Sequence, residues 1–101
     1  MSEAAITRPG YQVASSVLDA IAQRAAEEVD GVHVLDRRMR GREVAVEVDG
    51  DTLSASLALQ VRFGVVLPDA AEEARVRVAG ALAQMTGMPV SQVDVVVAAV
   101  V

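Results

Sequence analysis

The chain has no cysteine, no tryptophan and no lysine, and its only histidine is His33. Without cysteine there is no disulfide, no thiolate nucleophile and no Cys-ligated zinc. One histidine leaves no room for a Cys–His pair, and a Ser-His-Asp set lacks the G-x-S-x-G turn that would present its serine. There is no H-E-x-x-H, no EF-hand loop, no Walker loop and no G-x-G-x-x-G. These absences predict no catalytic residues, no metal site and no bound cofactor. Aromatics are limited to Tyr11 and Phe63. The longest unbroken apolar run, Val95 to Val101, is far short of the ~20 residues that span a bilayer. Residues Met1-Ser2-Glu3-Ala4-Ala5 show no basic stretch followed by an apolar core, so no signal peptide is expected. The expected location is the cytoplasm, with no direct insertion into a membrane.

What is present is apolar and acidic. Just over half of the 101 residues are hydrophobic, mostly Val, Ala and Leu, and the net charge is −5. A chain of this length forms one domain with one core. The acidic balance argues against a general nucleic-acid binder. All nine basic residues are arginine.

Residues 1–10 end in Arg8-Pro9-Gly10 and read as a flexible leader, leaving 11–101 as the domain. Val17, Leu18, Ile21, Ala22, Ala25 and Val29 recur at helical spacing, with Ser15 or Ser16 as N-cap and Gly31 as stop; this predicts a helix over 15–29. Val32 and Val34 suggest a short strand, with His33 facing outward. Val44, Val46 and Val48 alternate with polar residues, and the Asp49-Gly50-Asp51 turn leads into a longer alternating run, Leu53, Ala55, Leu57, Leu59, Val61 and Phe63. A two-residue loop puts both apolar rows on one face, and a one-residue slip would turn the valines to water.

Gly64 lets the chain bend, and Val65-Val66-Leu67 is expected to tuck against the core edge. Pro68 suits a helix entry, and Asp69 with Glu72 has the spacing of a capping box. Ala70, Ala71, Ala74, Val78, Ala81, Leu82 and Met85 then form a stripe, giving a helix over 70–86 that ends at Gly87. Val93, Val95, Val97, Ala99 and Val101 make a last strand, apolar on both faces. The order is helix, two or three strands, helix, strand. The expected fold class is α+β: a two-layer domain whose mainly antiparallel sheet of three or four strands carries both helices on one face.

Two stretches have candidate binding roles. Arg37, Arg38, Arg40 and Arg42 form the one local concentration of charge. It reads either as a solvated loop or as a patch for an anion, a nucleic acid or an acidic partner. Gly41-Arg42-Glu43-Val44 lacks the second glycine that a KH-type loop requires. The run Val95–Val101 reads either as a strand buried on both faces or as an exposed, uncharged β-prone segment that self-associates, with Val96 and Val100 as contact residues.

Three segments resemble motifs of the alkaline shock protein family of bacterial envelope stress proteins. They are Glu28-Val29-Asp30-Gly31-Val32, Phe63-Gly64-Val65-Val66-Leu67-Pro68-Asp69, and Met85-Thr86-Gly87-Met88 followed by Val93-Asp94-Val95. The likeness covers 11–101. The chain departs from the family pattern at Asp94, where Asn is usual, and in its short, Arg-rich loop before Val44. The resemblance implies a non-enzymatic, cytoplasmic protein of the envelope stress response. It implies an interaction or scaffold module held at the inner face of the membrane by a protein partner, and a homo-oligomer in some members. The alternative from the residues alone is a small nucleic-acid-binding module using Arg37 to Arg42.

Overall fold

A computed structural model describes residues 3–37 and 41–101, with backbone only at 36, 37, 41 and 42. A hairpin of β1 (Ala4–Arg8) and β2 (Tyr11–Ala14) leads directly into α1 (Ser15–Glu27). Then come β3 (Val32–Val34), the two-residue strands β4 (Asp36–Arg37) and β5 (Gly41–Arg42), β6 (Val44–Asp49), β7 (Thr52–Val61), α2 (Leu67–Thr86) and β8 (Val90–Val100).

β7 is the middle of the main sheet. Along one side it pairs antiparallel with β6 and then β3; along the other it pairs parallel with β8. β3 and β6 act as one edge strand interrupted by an insertion. Where the two halves meet, the Leu35 N–H donates to Ala58 O (2.9 Å), the Ala58 N–H to Glu43 O (2.9 Å), and the Glu43 N–H to Leu35 O (3.0 Å). Those three bonds pinch the chain, and β4 with β5 projects from the pinch as a separate hairpin. The crossover from β7 through α2 to β8 is the connection a parallel pair requires.

The expected phase is found. Val44 lies opposite Leu57, Val46 opposite Ala55 and Val48 opposite Leu53. Leu53, Ala55, Leu57, Leu59 and Val61 of β7 are all buried, while Ser56 is exposed. Both helices cover this face. Leu18, Ala22, Ala25 and Ala26 of α1, with Ala70, Ala74, Val78 and Leu82 of α2, share one core with the β7 row, Val32, Val34, Val46 and Val93. Six of those eight helix residues are Ala or Val, and short side chains let a helix lie close to a sheet. This is the two-layer α+β domain expected.

Several local expectations change. Residues 1–10 are not a loose leader over the part described: Ala4–Arg8 is a strand, and Ile6 is buried in the core because β1 packs against α1 and β6. Phe63 does not extend the β7 row. The strand ends at Val61, the chain turns at Gly64 (φ 99°), and Phe63 is 82% exposed, beyond the helices' cover. Of the connector only Val65 packs on the core; Val66 is 60% exposed. α2 starts earlier than expected, at Leu67. Its N-cap is Val66, so Asp69 lies inside the first turn and makes no capping box. Gly87 does end α2: its N–H donates to Ala83 O (2.9 Å). Thr86 Oγ1 donates to Leu82 O and accepts from the Met88 N–H, which seats Met88 in the core.

Candidate interaction surface

The sheet has a second face, and no helix covers it. Its middle column is Ser54, Ser56 and Ala58 of β7, all short. On one side stand Glu47, Ala45 and Glu43; on the other, the partners across the parallel ladder are Gln92, Asp94 and Val96. Short residues between longer ones make a trough. Two shallow depressions of 310 and 220 Å³ run along it, sharing Ala45, Ser56 and Asp94 in their linings. Among the described residues, the lining carries three carboxylates, Glu43, Glu47 and Asp94, and no basic residue. Gln92 Nε2 donates to Asp94 Oδ2 (2.7 Å). Among the described residues, neither Glu47 nor Asp94 has a cation beside it. Val96, 59% exposed, is the bulky apolar side chain of this face.

The two sheet edges differ. On the β3/β6 edge, outward N–H groups are met by carboxylates of α1. The Val46 N–H donates to Asp19 Oδ1 (3.1 Å) and the Val34 N–H to Glu27 Oε2 (3.0 Å). The sequence pattern places both acids on the solvent side of α1; in the fold they close an edge that would otherwise invite pairing. β8 pairs only with β7, so its far side is open. Val90–Val100 is therefore an edge strand, and the exposure of Val96 and Val100 shows that it is not buried on both faces. Val93 is buried, Val95 and Val97 are half-buried against the core, and Val96 and Val100 are exposed. Register shifts at Leu53/Ser54 and Leu59/Gln60 mark irregularities in this ladder.

The remaining candidates are placed as follows. Arg37 and Arg42 lie on the β4–β5 hairpin, beside the trough wall at Glu43; their side chains, and Arg38 and Arg40 altogether, fall outside the described residues. His33 faces outward on β3, its Nδ1 3.9 Å from the Glu27 carboxylate. Near His33, Arg62 bonds Asp30 (3.0 Å), and this hydrogen bond and charge hold the Asp30 carboxyl below its ordinary pKa. On α2 the Arg75 guanidinium does the same for Glu72. A further apolar groove lies on the outer side of the helices between Val17, Ile21, Ala81 and Met85. Among the described residues there is no group of acidic or histidine side chains able to hold a metal ion, and no helix long and apolar enough to cross a membrane.

The described residues leave one sheet face and one sheet edge uncovered. Residues 5–101 match the sequence profile of the alkaline shock protein 23 family, whose description is "cell envelope-related function". The chain belongs to that family. No curated protein matches the sequence. Solved structures of the MamM C-terminal domain have a similar fold. A triply substituted variant has a TM-score of 0.55 at 21% identity, covering 83% of this chain and 93% of that one. A singly substituted variant reaches 0.56 at 20% identity, covering 83% and 96%. Another, recorded as a zinc form, reaches 0.56 at 18%, covering 83% and 84%. At such identities the likeness is one of fold.

The sequence reading missed the trough. Its signal was available: Ser54, Ser56 and Ala58 are short residues at alternate positions of the one strand that has neighbours on both sides.

Proposed function

We propose that this protein is a non-enzymatic interaction module of the cell envelope stress response, working at the inner face of the membrane. In this reading a protein partner brings it to the membrane, and copies of it associate with one another. Membership of an envelope-related family supports the setting. The observation that carries the mode of action is the sheet face left bare while the opposite face carries two helices. Burial of apolar surface drives association, and this face offers Val96 within a trough that a partner segment can fill. Val96, Val100 and the open side of β8 are the surfaces for protein contact, and the Arg37, Arg38, Arg40 and Arg42 stretch is a second candidate contact by its charge.

The test is the location of a fluorescent fusion in the native host, with and without envelope stress. The reading expects a signal along the cell periphery that is lost in strains lacking the partner. It also expects reduced survival under envelope stress when the protein is deleted. Uniform distribution through the cytosol, with no stress phenotype, would contradict it. A catalytic role would instead require turnover, and none is expected in broad hydrolase and transferase assays.

A further inference from the structure

We infer that the groove on the outer side of the two helices docks an amphipathic helix of the protein partner, with an acidic side chain of that helix paired to Arg24. This surface is separate from the sheet face, and it rests on the reading above only for the existence of a partner. Each helix carries a wider apolar stripe than the sheet covers. α1 buries Leu18, Ala22, Ala25 and Ala26, yet Val17 beside them is 46% exposed; α2 buries Ala74, Val78 and Leu82, yet Met85 is 68% exposed. The excess gathers in one place: Val17, Ile21, Ala81 and Met85 line a single groove of 660 Å³. The helices run antiparallel along it. Arg77 of α2 reaches Glu28 at the end of α1 (3.6 Å), and Ala81 and Met85 continue from there toward Val17.

Shape and charge select the occupant. From Val17 to Glu28 the α1 wall is about 16 Å long at 1.5 Å per residue, or about three turns. Both walls are helical, so their backbone groups are bonded internally and offer a partner strand nothing to pair with. A third helix, packed on side chains at about 8–10 Å from each wall, fits instead. Met85 is unbranched and adapts to the surface laid on it. Among the described residues Arg62, Arg75 and Arg77 each stand beside a carboxylate, and Arg24, exposed in the groove wall, does not. Glu28, one turn further on, is held by Arg77. The groove therefore asks for one acid. Arg24 lies two turns from Val17, so the docking helix has apolar residues about three or four apart, facing Val17 and Ile21, and an acid about seven from the first. Two copies packed groove to groove would bring two Arg24 side chains together with no acid for either. A membrane surface would need a cluster of basic residues, and the groove holds one.

Photocrosslinking in the native host tests this, with p-benzoylphenylalanine placed at position 17 or 85. At both positions the product is expected to be one protein segment, mapped by mass spectrometry, with the apolar and acidic spacing given above. A synthetic peptide of that segment is expected to become helical on binding the full-length protein. By fluorescence anisotropy, Arg24→Ala should weaken binding up to about fivefold. Met85→Glu, which puts a charge among apolar side chains, should weaken it about thirtyfold or more. Circular dichroism verifies that each variant is folded, and Val17→Glu replaces Met85→Glu if that variant is not. A peptide whose acid is changed to Arg should lose binding to the unaltered protein and regain it with Arg24→Glu. No crosslink at either position overturns the inference. So does a crosslink to a second copy, to lipid or to a segment without that spacing, and so does a Met85→Glu variant that binds the peptide as the unaltered protein does. A protein that reaches the cell periphery but crosslinks to nothing through the groove sinks this inference alone; a mapped helix in the groove with no envelope location sinks only the reading above.

Discussion

Replacing Leu59 by Ala tests the architecture at its centre. Leu59 has no exposed surface and lies in β7 opposite Val34 on one side and Val97 on the other, so three strands meet at it. The substitution removes three carbons from a site closed by the helices. At roughly 0.8 kcal/mol for each buried methylene, the transfer term is about 2.4 kcal/mol. The unrelaxed cavity adds to that, and Leu→Ala changes at closed sites fall at about 2.7–5 kcal/mol. About 3 kcal/mol is expected here. Domains of this size hold only about 5–15 kcal/mol in total, and each kcal/mol moves the melting temperature by about 4–8 °C. Urea unfolding followed by circular dichroism should show a large fall in midpoint with an unchanged slope. The control is Val96→Ala, on the next strand and the opposite face, where a change within about 0.5 kcal/mol is expected. Equal costs at the two positions, or a Leu59→Ala cost below 1 kcal/mol, would show that the helices do not cover the face assigned to them.

Other expectations follow from single contacts. Gly31→Ala puts a Cβ at φ +80° and 3.0 Å from Val65 Cγ2, and should cost about 1–2 kcal/mol for the backbone alone, with more from the clash, by urea unfolding. Asp19→Ala removes the acceptor of the Val46 N–H on the β6 edge and should cost about 1–2 kcal/mol; faster hydrogen exchange at Val46 is the specific readout. Acid stability should depend on Asp30 and Glu72, whose carboxyls are held below their ordinary values of 3.8 and 4.5 by Arg62 and Arg75. A lowered folded pKa contributes stability above the unfolded value and loses it as pH falls through the folded one. The pair Asp30→Asn and Glu72→Gln should therefore slightly lower stability at pH 7 and flatten its decline below about pH 4.5. The effect is small because both acids are at the surface.

The sheet's covered face was legible from alternation alone, because Val44–Val48 and Leu53–Val61 each keep strict period two and the Gly50-Asp51 loop locks their phase. Helix spans were legible to within a few residues for the same reason. The β1–β2 hairpin was not, since Ala4-Ala5-Ile6-Thr7-Arg8 holds a single large apolar residue and its strand state depends on packing Ile6 against α1. Exposure at Phe63 and Val66 was also hidden, because an apolar residue past the end of a strand keeps the right phase yet lies beyond the helices' reach. The end strand was ambiguous by composition: Val90–Val100 is apolar on both sides, and only the packing of the helices on one face showed that Val96 on the other meets solvent. The roles of Asp19 and Glu27 at the sheet edge depend on how α1 lies across β3 and β6, which helical periodicity does not encode.

The claim that the uncovered sheet face is the working surface is tested most directly by amide hydrogen exchange on the unaltered protein, dilute and concentrated. The account predicts slower exchange at high concentration along 54–58 and 94–96, with the outer surfaces of α1 and α2 unchanged. Protection confined to the groove around Val17 and Met85, or no change at either place, would contradict it.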